Sequence, residues 1–238
     1  MKIELSHSPK GRQFVIGDVH GCFLTLSALI QQINLQQEDQ LIFLGDVINK
    51  GNDSRKVLDY LMQLELEYEL YCIKGNHEHN LLTAYSCGMD FFEDFLHAYH
   101  ADDLMDGDLY AYLDFCAKMA YYIETPTHIF SHLGFSPSIP YPISDTRAYF
   151  HNQNIEISTT AIQSKKQVHG HLTVALKTIQ EAVNGEQTII NIDGGCCYKK
   201  IEGLGHLCAL EITHNTLYVQ KNLEKEIRPI AQPIDLIL

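Results

Sequence analysis

The sequence predicts an α/β fold built on a parallel sheet, on three observations. The first 80 residues alternate short apolar runs with amphipathic stretches. Three of those runs stop at a glycine followed by polar residues. Beyond about residue 167 the chain turns β-rich.

Gln13–Ile16 is a short apolar run that ends at Gly17, and Phe23–Ile33 then places Leu24, Leu26, Leu29, Ile30 and Ile33 at helical spacing. Leu41–Leu44 is a second apolar run, ending at Gly45. Asp53 or Ser54 can cap a helix that carries Val57, Leu58, Leu61, Met62 and Leu64. Leu70–Ile73 is the third strand, stopping near Gly75, so the segment reads as βαβαβ. In such sheets, sites form at the carboxyl ends of the strands.

From about Glu78 to Ala120 the pattern is helical and acidic. Thr127–Phe130 predicts a strand that returns to the sheet and stops at Ser131-His132. Pro137, Pro140 and Pro142 make the following stretch a loop over the site, and Gln167–Val168 is a brief strand leading into His169-Gly170-His171. The rest predicts hairpins: Thr178–Val183, an Asn184-Gly185 turn and Thr188–Asp193, then Leu207–Thr213, a His214-Asn215 turn and Thr216–Gln220. No repeat, low-complexity stretch or linker interrupts the chain, so residues 1–238 read as one domain.

Composition narrows the function. With 45% apolar and 20% charged residues, the 238-residue chain is neither disordered nor fibrous. Its net charge of −13 argues against a nucleic-acid partner, which would leave a basic footprint. No apolar run approaches the ~18 residues of a spanning helix, and the start lacks the apolar stretch of a secretory signal. The expectation is a cytoplasmic protein with no membrane partner. Its seven cysteines are then free thiols, the adjacent Cys196 and Cys197 included. Thirteen histidines point toward metal or acid–base chemistry.

Five polar clusters follow predicted strands: Gly17-Asp18-Val19-His20-Gly21, Gly45-Asp46, Gly75-Asn76-His77-Glu78, Ser131-His132 and Gly170-His171. They offer mixed oxygen and nitrogen donors, suited to divalent ions such as Mn²⁺, Fe²⁺ or Zn²⁺. Taken singly, each has a structural explanation: a cap, a turn or a satisfied polar group. Recurrence after five separate strands favours one shared site.

GDVHG, GDVINKG, GNHE, the His of SHLG and the GH of VHGHLT resemble the calcineurin-like metallophosphoesterase superfamily. They are most similar to its bacterial and phage PPP-type serine/threonine phosphatases, and INIDGGCCYKK adds to the likeness. The resemblance runs in order from about Gln13 to Ile212. It implies a four-layer αββα fold, two mixed β-sheets flanked by helices. It also implies two divalent metal ions, Mn²⁺ first among Fe, Zn, Ni and Co. Asp18 and His20 would ligate one ion, Asp46 would bridge both, and Asn76, His132 and His171 would ligate the other. His77 would protonate the leaving oxygen. Two such ions clamp a phosphoryl group and acidify a water. Glu78 has no ligand role and reads as an orienting or helix-start residue, and His169 as structural or orienting.

Two departures stand out. The family's second motif reads GDxVDRG, whereas Asn49 and Lys50 occupy the Asp and Arg positions here. An Asn orients an imidazole but lends no charge to an imidazolium, and Lys keeps the charge for phosphate binding but loses the two-pronged grip. Arg147 is the one Arg between His132 and His171, and so the candidate for the family's second phosphate-binding Arg. The leading expectation is a phosphomonoesterase acting on phosphorylated protein or small phosphoesters, foremost phospho-Ser/Thr. The rivals are a dinucleoside polyphosphate hydrolase on the same metal core, against which Glu78 leans, and a binding or regulatory protein that kept the fold and lost the chemistry.

Overall fold

The computed structural model describes residues 2–5, 10–133 and 165–225. Its strands are β1 (Lys2–Glu4), β2 (Gln13–Ile16), β3 (Gln40–Phe43), β4 (Glu69–Cys72), β5 (Tyr122–Glu124), β6 (His128–Ser131), β7 (Lys166–His169), β8 (Ile189–Asn191), β9 (His206–Glu211) and β10 (Thr216–Lys221). The helices are α1 (Phe23–Ile33), α2 (Ser54–Glu67), α3 (Asn76–Ser86), α4 (Met89–Ala98), α5 (Leu109–Lys118) and α6 (Leu176–Asn184).

β2, β3 and β4 pair in parallel, with Phe14 opposite Leu41 and Leu41 opposite Leu70. β9 adds antiparallel to β2, and β10 antiparallel to β9, completing a mixed sheet ordered β10-β9-β2-β3-β4. The second sheet, β1-β5-β6-β7-β8, is also mixed: β6, β7 and β8 run parallel, and β5 is antiparallel to β6. Every residue of β2 and β3 is buried, which explains their unbroken apolar reading. Alternate side chains divide between two cores. Val15, Ile42 and Leu210 meet Ile123, Phe130, Val168 and Ile190 between the sheets. Phe14, Ile16, Leu41 and Phe43 turn outward onto Leu26, Leu29 and Ile33 of α1 and Val57, Leu58 and Leu61 of α2. The architecture is thus two mixed sheets flanked by helices. No helix among the described residues is long and apolar enough to cross a membrane.

Two expectations fail. Thr178–Val183 is not a strand, and Asn184-Gly185 is not a hairpin turn; the segment lies in α6, and Gly185 ends it. β7 and β8 are parallel neighbours, which a two-residue turn cannot join. The helical crossover sends Ile179, Ala182 and Val183 into the inter-sheet core at i, i+3 and i+4. The predicted β9–β10 hairpin forms, in register from Thr216–Glu211 to Lys221–His206. Neither Asp53 nor Ser54 caps α2 through its side chain. Ser54 Oγ instead accepts from the Asn49 backbone N–H at 2.9 Å, and Asp53 pairs with Lys56. All seven cysteines are free, and Cys87 alone is exposed. The proline loop 137–142 and Arg147 lie outside the described residues.

Candidate metal centre

All five clusters converge. Asp18 and His20 follow β2, Asp46 follows β3, Asn76 and His77 open α3 after β4, His132 follows β6, and His171 lies just past β7. These are the carboxyl ends of parallel strands, where the backbone leaves the ladder. His20, Asp46, Asn49, Lys50 and His171 all adopt positive φ, between 49° and 69°. Side-chain-bearing residues rarely hold that conformation unless their surroundings impose it.

Asp46 sits at the centre. Its Oδ2 lies 3.7 Å from His20 Nε2 and 3.9 Å from His77 Nε2, and its Oδ1 lies 3.4 Å from His132 Nε2. On that second side, Asn76 Oδ1, His132 Nε2 and His171 Nδ1 form a triangle with edges of 3.0, 3.1 and 3.0 Å. Asp18 closes the floor and accepts from the His171 backbone N–H at 3.1 Å. Two glycines exist because these carboxylates need their space. A Cβ on Gly170 would stand 2.0 Å from Asp18 Oδ1, and one on Gly75 would stand 2.1 Å from Asp46 Oδ1.

Backbone carbonyls aim the imidazoles. His20 Nδ1 donates to Ile48 O at 3.3 Å and His132 Nδ1 to Leu44 O at 3.0 Å. Each ring then turns its Nε2 toward the centre, the usual outer support of a metal-binding histidine. Glu78 holds the loop itself. Its Oε2 accepts from the N–H groups of Asp46 and Gly75, both at 2.9 Å, and its Oε1 from Val47 at 2.9 Å and Ile48 at 3.3 Å. The orienting role expected of Glu78 is therefore visible as four bonds.

The electrostatics call for cations. Asp18, Asp46, Glu78 and Asp193 are all buried, and Lys50 is the lysine set among them. Burial and the neighbouring Asp193 raise Asp18 well above the carboxylate range. Burial and Asp46 push Glu78 up to about 7, against its four N–H donors. Burial also opposes charge on His132, but Asp46, Asp18 and Glu78 outweigh it and raise it to about 9. Lys50 Nζ stands 2.8 Å from His20 Nε2 and 5.7 Å from the Tyr198 ring centre, so its charge rests on a lone pair and an aromatic face.

Three features test whether divalent ions fit these residues. The donors are imidazole nitrogen, carboxylate and amide oxygen, the mixed set such ions take. The nitrogen and oxygen atoms converge on one point from four separate loops. The 3.0–3.1 Å edges of the Asn76–His132–His171 triangle match the ~3.0 Å between neighbouring ligands of an octahedral ion with ~2.1 Å bonds. Two sets of acidic and imidazole donors share Asp46: His20–Asp46–His77 and Asp46–His132–His171. The residues fit.

His77 packs between His20 and Tyr99, with ring centres 4.9 and 5.7 Å away. Its Nδ1 is 2.9 Å from Asn49 Nδ2, and Asn49 Oδ1 is buried without a partner. Turning that amide over would let Oδ1 accept from an imidazole N–H. His169 belongs to neither donor group; it is buried in β7 with Nδ1 3.0 Å from Gly170 O.

Sequence reasoning left Asp193 and Tyr99 unassigned. Asp193 Oδ1 accepts from the Gly195 N–H at 2.9 Å and Oδ2 from Thr173 Oγ1 at 3.0 Å, bracing the loop after β8 beside Asp18. The acidic residue inside INIDGG was its available signal. Tyr99, on the helical insertion, accepts the Lys50 N–H on its carbonyl and packs on His77, and nothing local in the sequence marks it.

The calcineurin-like phosphoesterase family model matches residues 12–196. Among curated relatives, the symmetrical bis(5'-nucleosyl)-tetraphosphatase of Hamiltonella defensa is 38% identical over 100 residues, covering 39% of this chain and 35% of that protein. That of Photorhabdus laumondii is 39% identical over 74 residues, 31% of this chain and 26% of that protein. The matched stretch therefore spans about a third or less of these relatives. A crystal structure described as a candidate diadenosine tetraphosphatase superposes with a TM-score of 0.68 at 20% identity, covering 94% of this chain and 99% of that one. A serine/threonine phosphatase from Saccharomyces cerevisiae superposes at 0.58 with 14% identity, covering 96% and 84%. The chain belongs to the calcineurin-like phosphoesterase family. That family is one of phosphoesterases that work with a pair of divalent metals.

Proposed function

We propose that the chain hydrolyses phosphoanhydride bonds in dinucleoside polyphosphates, with the diadenosine tetraphosphate type as reference substrate. The observation that carries this reading is the run of relatives named symmetrical bis(5'-nucleosyl)-tetraphosphatase, at 30–39% identity over 74–100 residues. This inverts the order of the sequence-based expectations, in which protein phospho-Ser/Thr came first and Glu78 weighed against the dinucleotide. Glu78 fixes a backbone loop and faces no substrate, so it carries little weight on specificity.

The residues proposed to hold the metals are Asp18, His20 and Asp46 on one side, and Asp46, Asn76, His132 and His171 on the other, with Mn²⁺ the expected ion. When bound, such ions neutralise phosphoryl charge and acidify a nucleophilic water. Lys50 supplies a positive charge to the phosphate chain. His77 turns Nε2 toward the centre, so a proton held there can pass to the leaving oxygen. Asn49 holds the opposite nitrogen and lends no charge to an imidazolium. That arrangement suits an anhydride better than an alkyl ester. The departing group is then a phosphate, with a second pKa of about 6, and needs little protonation. An alkoxide leaving from phosphoserine is far more basic.

The test is Mn²⁺-dependent turnover of diadenosine tetraphosphate, a phosphoserine peptide and p-nitrophenyl phosphate, with nucleotide products separated by anion exchange. Release of ADP with kcat/KM at least ten times that on the peptide is expected. Preference for the peptide would restore the protein-phosphatase reading. Metal binding without turnover of any substrate would support a binding protein.

A further inference from the structure

The residues after β10 return to the two loops that frame the centre. Asn222 donates through its backbone N–H to Gly205 O and through Nδ2 to Cys196 O, both at 2.8 Å, and Nδ2 lies 3.5 Å from Cys22 Sγ. Its Oδ1 accepts from the Glu224 N–H at 2.9 Å. The Leu223 N–H donates to Thr25 Oγ1 at 2.9 Å. Glu224 Oε1 accepts from both the N–H and the hydroxyl of Thr25, each at 3.0 Å. Lys199 donates to the main-chain oxygens of Glu224 and Lys225. Thr25 is fully buried, and Glu224 is 5% exposed.

Helix α1 needs this help. Its N-cap residue, Cys22, makes no side-chain cap, and its first turn holds no acidic residue. A helix start leaves backbone donors unsatisfied and favours a negative charge. Glu224 provides both an acceptor and a charge from 199 positions away. Cys22 is two residues from His20, whose φ of 49° must be held by its surroundings. The same strap grips the loop of Asp193 and Tyr198 through Cys196, Lys199 and Gly205. Two site-framing loops, far apart in sequence, are thus tied to one three-residue segment.

We propose that Asn222–Glu224 is a strap that positions the Asp18–His20 metal loop against the loop after β8, with Glu224 as its positioning residue. This rests on the metal-binding role proposed for Asp18 and His20. The strap touches no reacting group; it acts by keeping the two metal-loop donors in place while the rest of the fold stands without it.

The experiment is calorimetric titration of Mn²⁺ into the metal-stripped full chain, with thermal unfolding of each variant in parallel. Glu224→Ala should weaken the tighter Mn²⁺ site about tenfold, the scale of losing a residue that orients a ligand. Glu224→Gln keeps an acceptor for the Thr25 N–H and should lose only two- to threefold. Thr25→Val, which keeps the shape but drops the hydroxyl between Leu223 and Glu224, should fall between them and stands in if Glu224→Ala does not fold. Asp39→Asn, far from the centre, should lower the melting temperature with Mn²⁺ affinity unchanged. Asp18→Asn should weaken Mn²⁺ binding more than any strap variant. If Asp18→Asn weakens binding and the strap variants bind Mn²⁺ like the parent, the strap is overturned and the metal site stands. If Asp18→Asn binds like the parent, the metal assignment is overturned and the strap with it.

Discussion

The centre has two unlike halves. The half on the β2-β3-β4 sheet is built from contiguous motifs, and its loops brace one another through the backbone. The N–H groups of Val19 and His20 donate to Asp46 O, and that of Gly21 to Val47 O. Glu78 gathers four more N–H groups from the same loops. The half on the other sheet contributes two lone histidines with little bracing of their own. His132 is aimed by Leu44 O across the sandwich, and the His171 backbone by Asp18. The first half is a stiff frame carrying strained residues, and the second takes its aim from that frame. Damage to the frame should therefore reach both halves, whereas damage to the second half should remain local.

The largest effect is expected from Asp46→Asn. Asp46 lies within 3.9 Å of imidazole nitrogens from both halves, so turnover should fall by well over ~10²-fold and both Mn²⁺ equivalents should weaken. Calorimetric stoichiometry and steady-state rates decide it; one tight Mn²⁺ surviving would mean the halves do not share Asp46. Gly170→Ala comes next, because the new methyl would collide with the frame carboxylate Asp18, directly beside His171 of the other half. Mn²⁺ affinity should drop about tenfold at both sites, and loss at one site only would deny that the second half takes its aim from the frame.

Glu78→Gln offers an NH₂ where backbone N–H groups now meet carboxylate. The fold should lose about 2–3 kcal/mol, and both Mn²⁺ sites should weaken together. Chemical denaturation with parallel titration measures both, and an unchanged midpoint would deny Glu78 its bracing role. Smaller still is Asn49→Asp, which gives His77 a charged partner at 2.9 Å. We expect a rise of about tenfold in kcat on alkyl phosphates and little change on diadenosine tetraphosphate. A uniform rise on both substrates would mean that leaving-group protonation is not what Asn49 limits.

Asp39 lies outside both halves and sets the baseline. Burial pushes its carboxyl up, but Arg12 and the N–H groups of Arg12 and Gln36 outweigh that and hold it below its ordinary value. A depressed folded pKa stabilises above the unfolded pKa of ~3.9 and loses that stability as pH falls through the folded value. Asp39→Asn should cost about 1–2 kcal/mol at pH 7, with the gap between parent and variant shrinking as pH falls below ~3.9 toward the lowered folded value and turnover untouched. A gap that stays constant as the pH falls would point to packing rather than charge.

Much of this protein was legible along the chain because the causes are local. β2 and β3 are apolar throughout because both faces are covered, and α1 carries its buried stripe at helical spacing. The Gly-Asp, Gly-Asn-His and Gly-His clusters sit where strands end, and their glycines fit beside carboxylates. α6 was misread because an Asn-Gly pair looks the same at a helix end as in a hairpin, and only the parallel pairing of β7 with β8 demands a crossover. What tertiary structure alone decided are the long-range contacts: Leu44 O aiming His132, Tyr99 packing on His77, and Glu224 serving the start of α1 from 199 residues away. The sequence by itself determined which donors stand at which strand ends, since burial and backbone geometry select residue type position by position. Their mutual distances came only with the folded chain, because a hydrogen bond between remote residues leaves no periodic trace at either end.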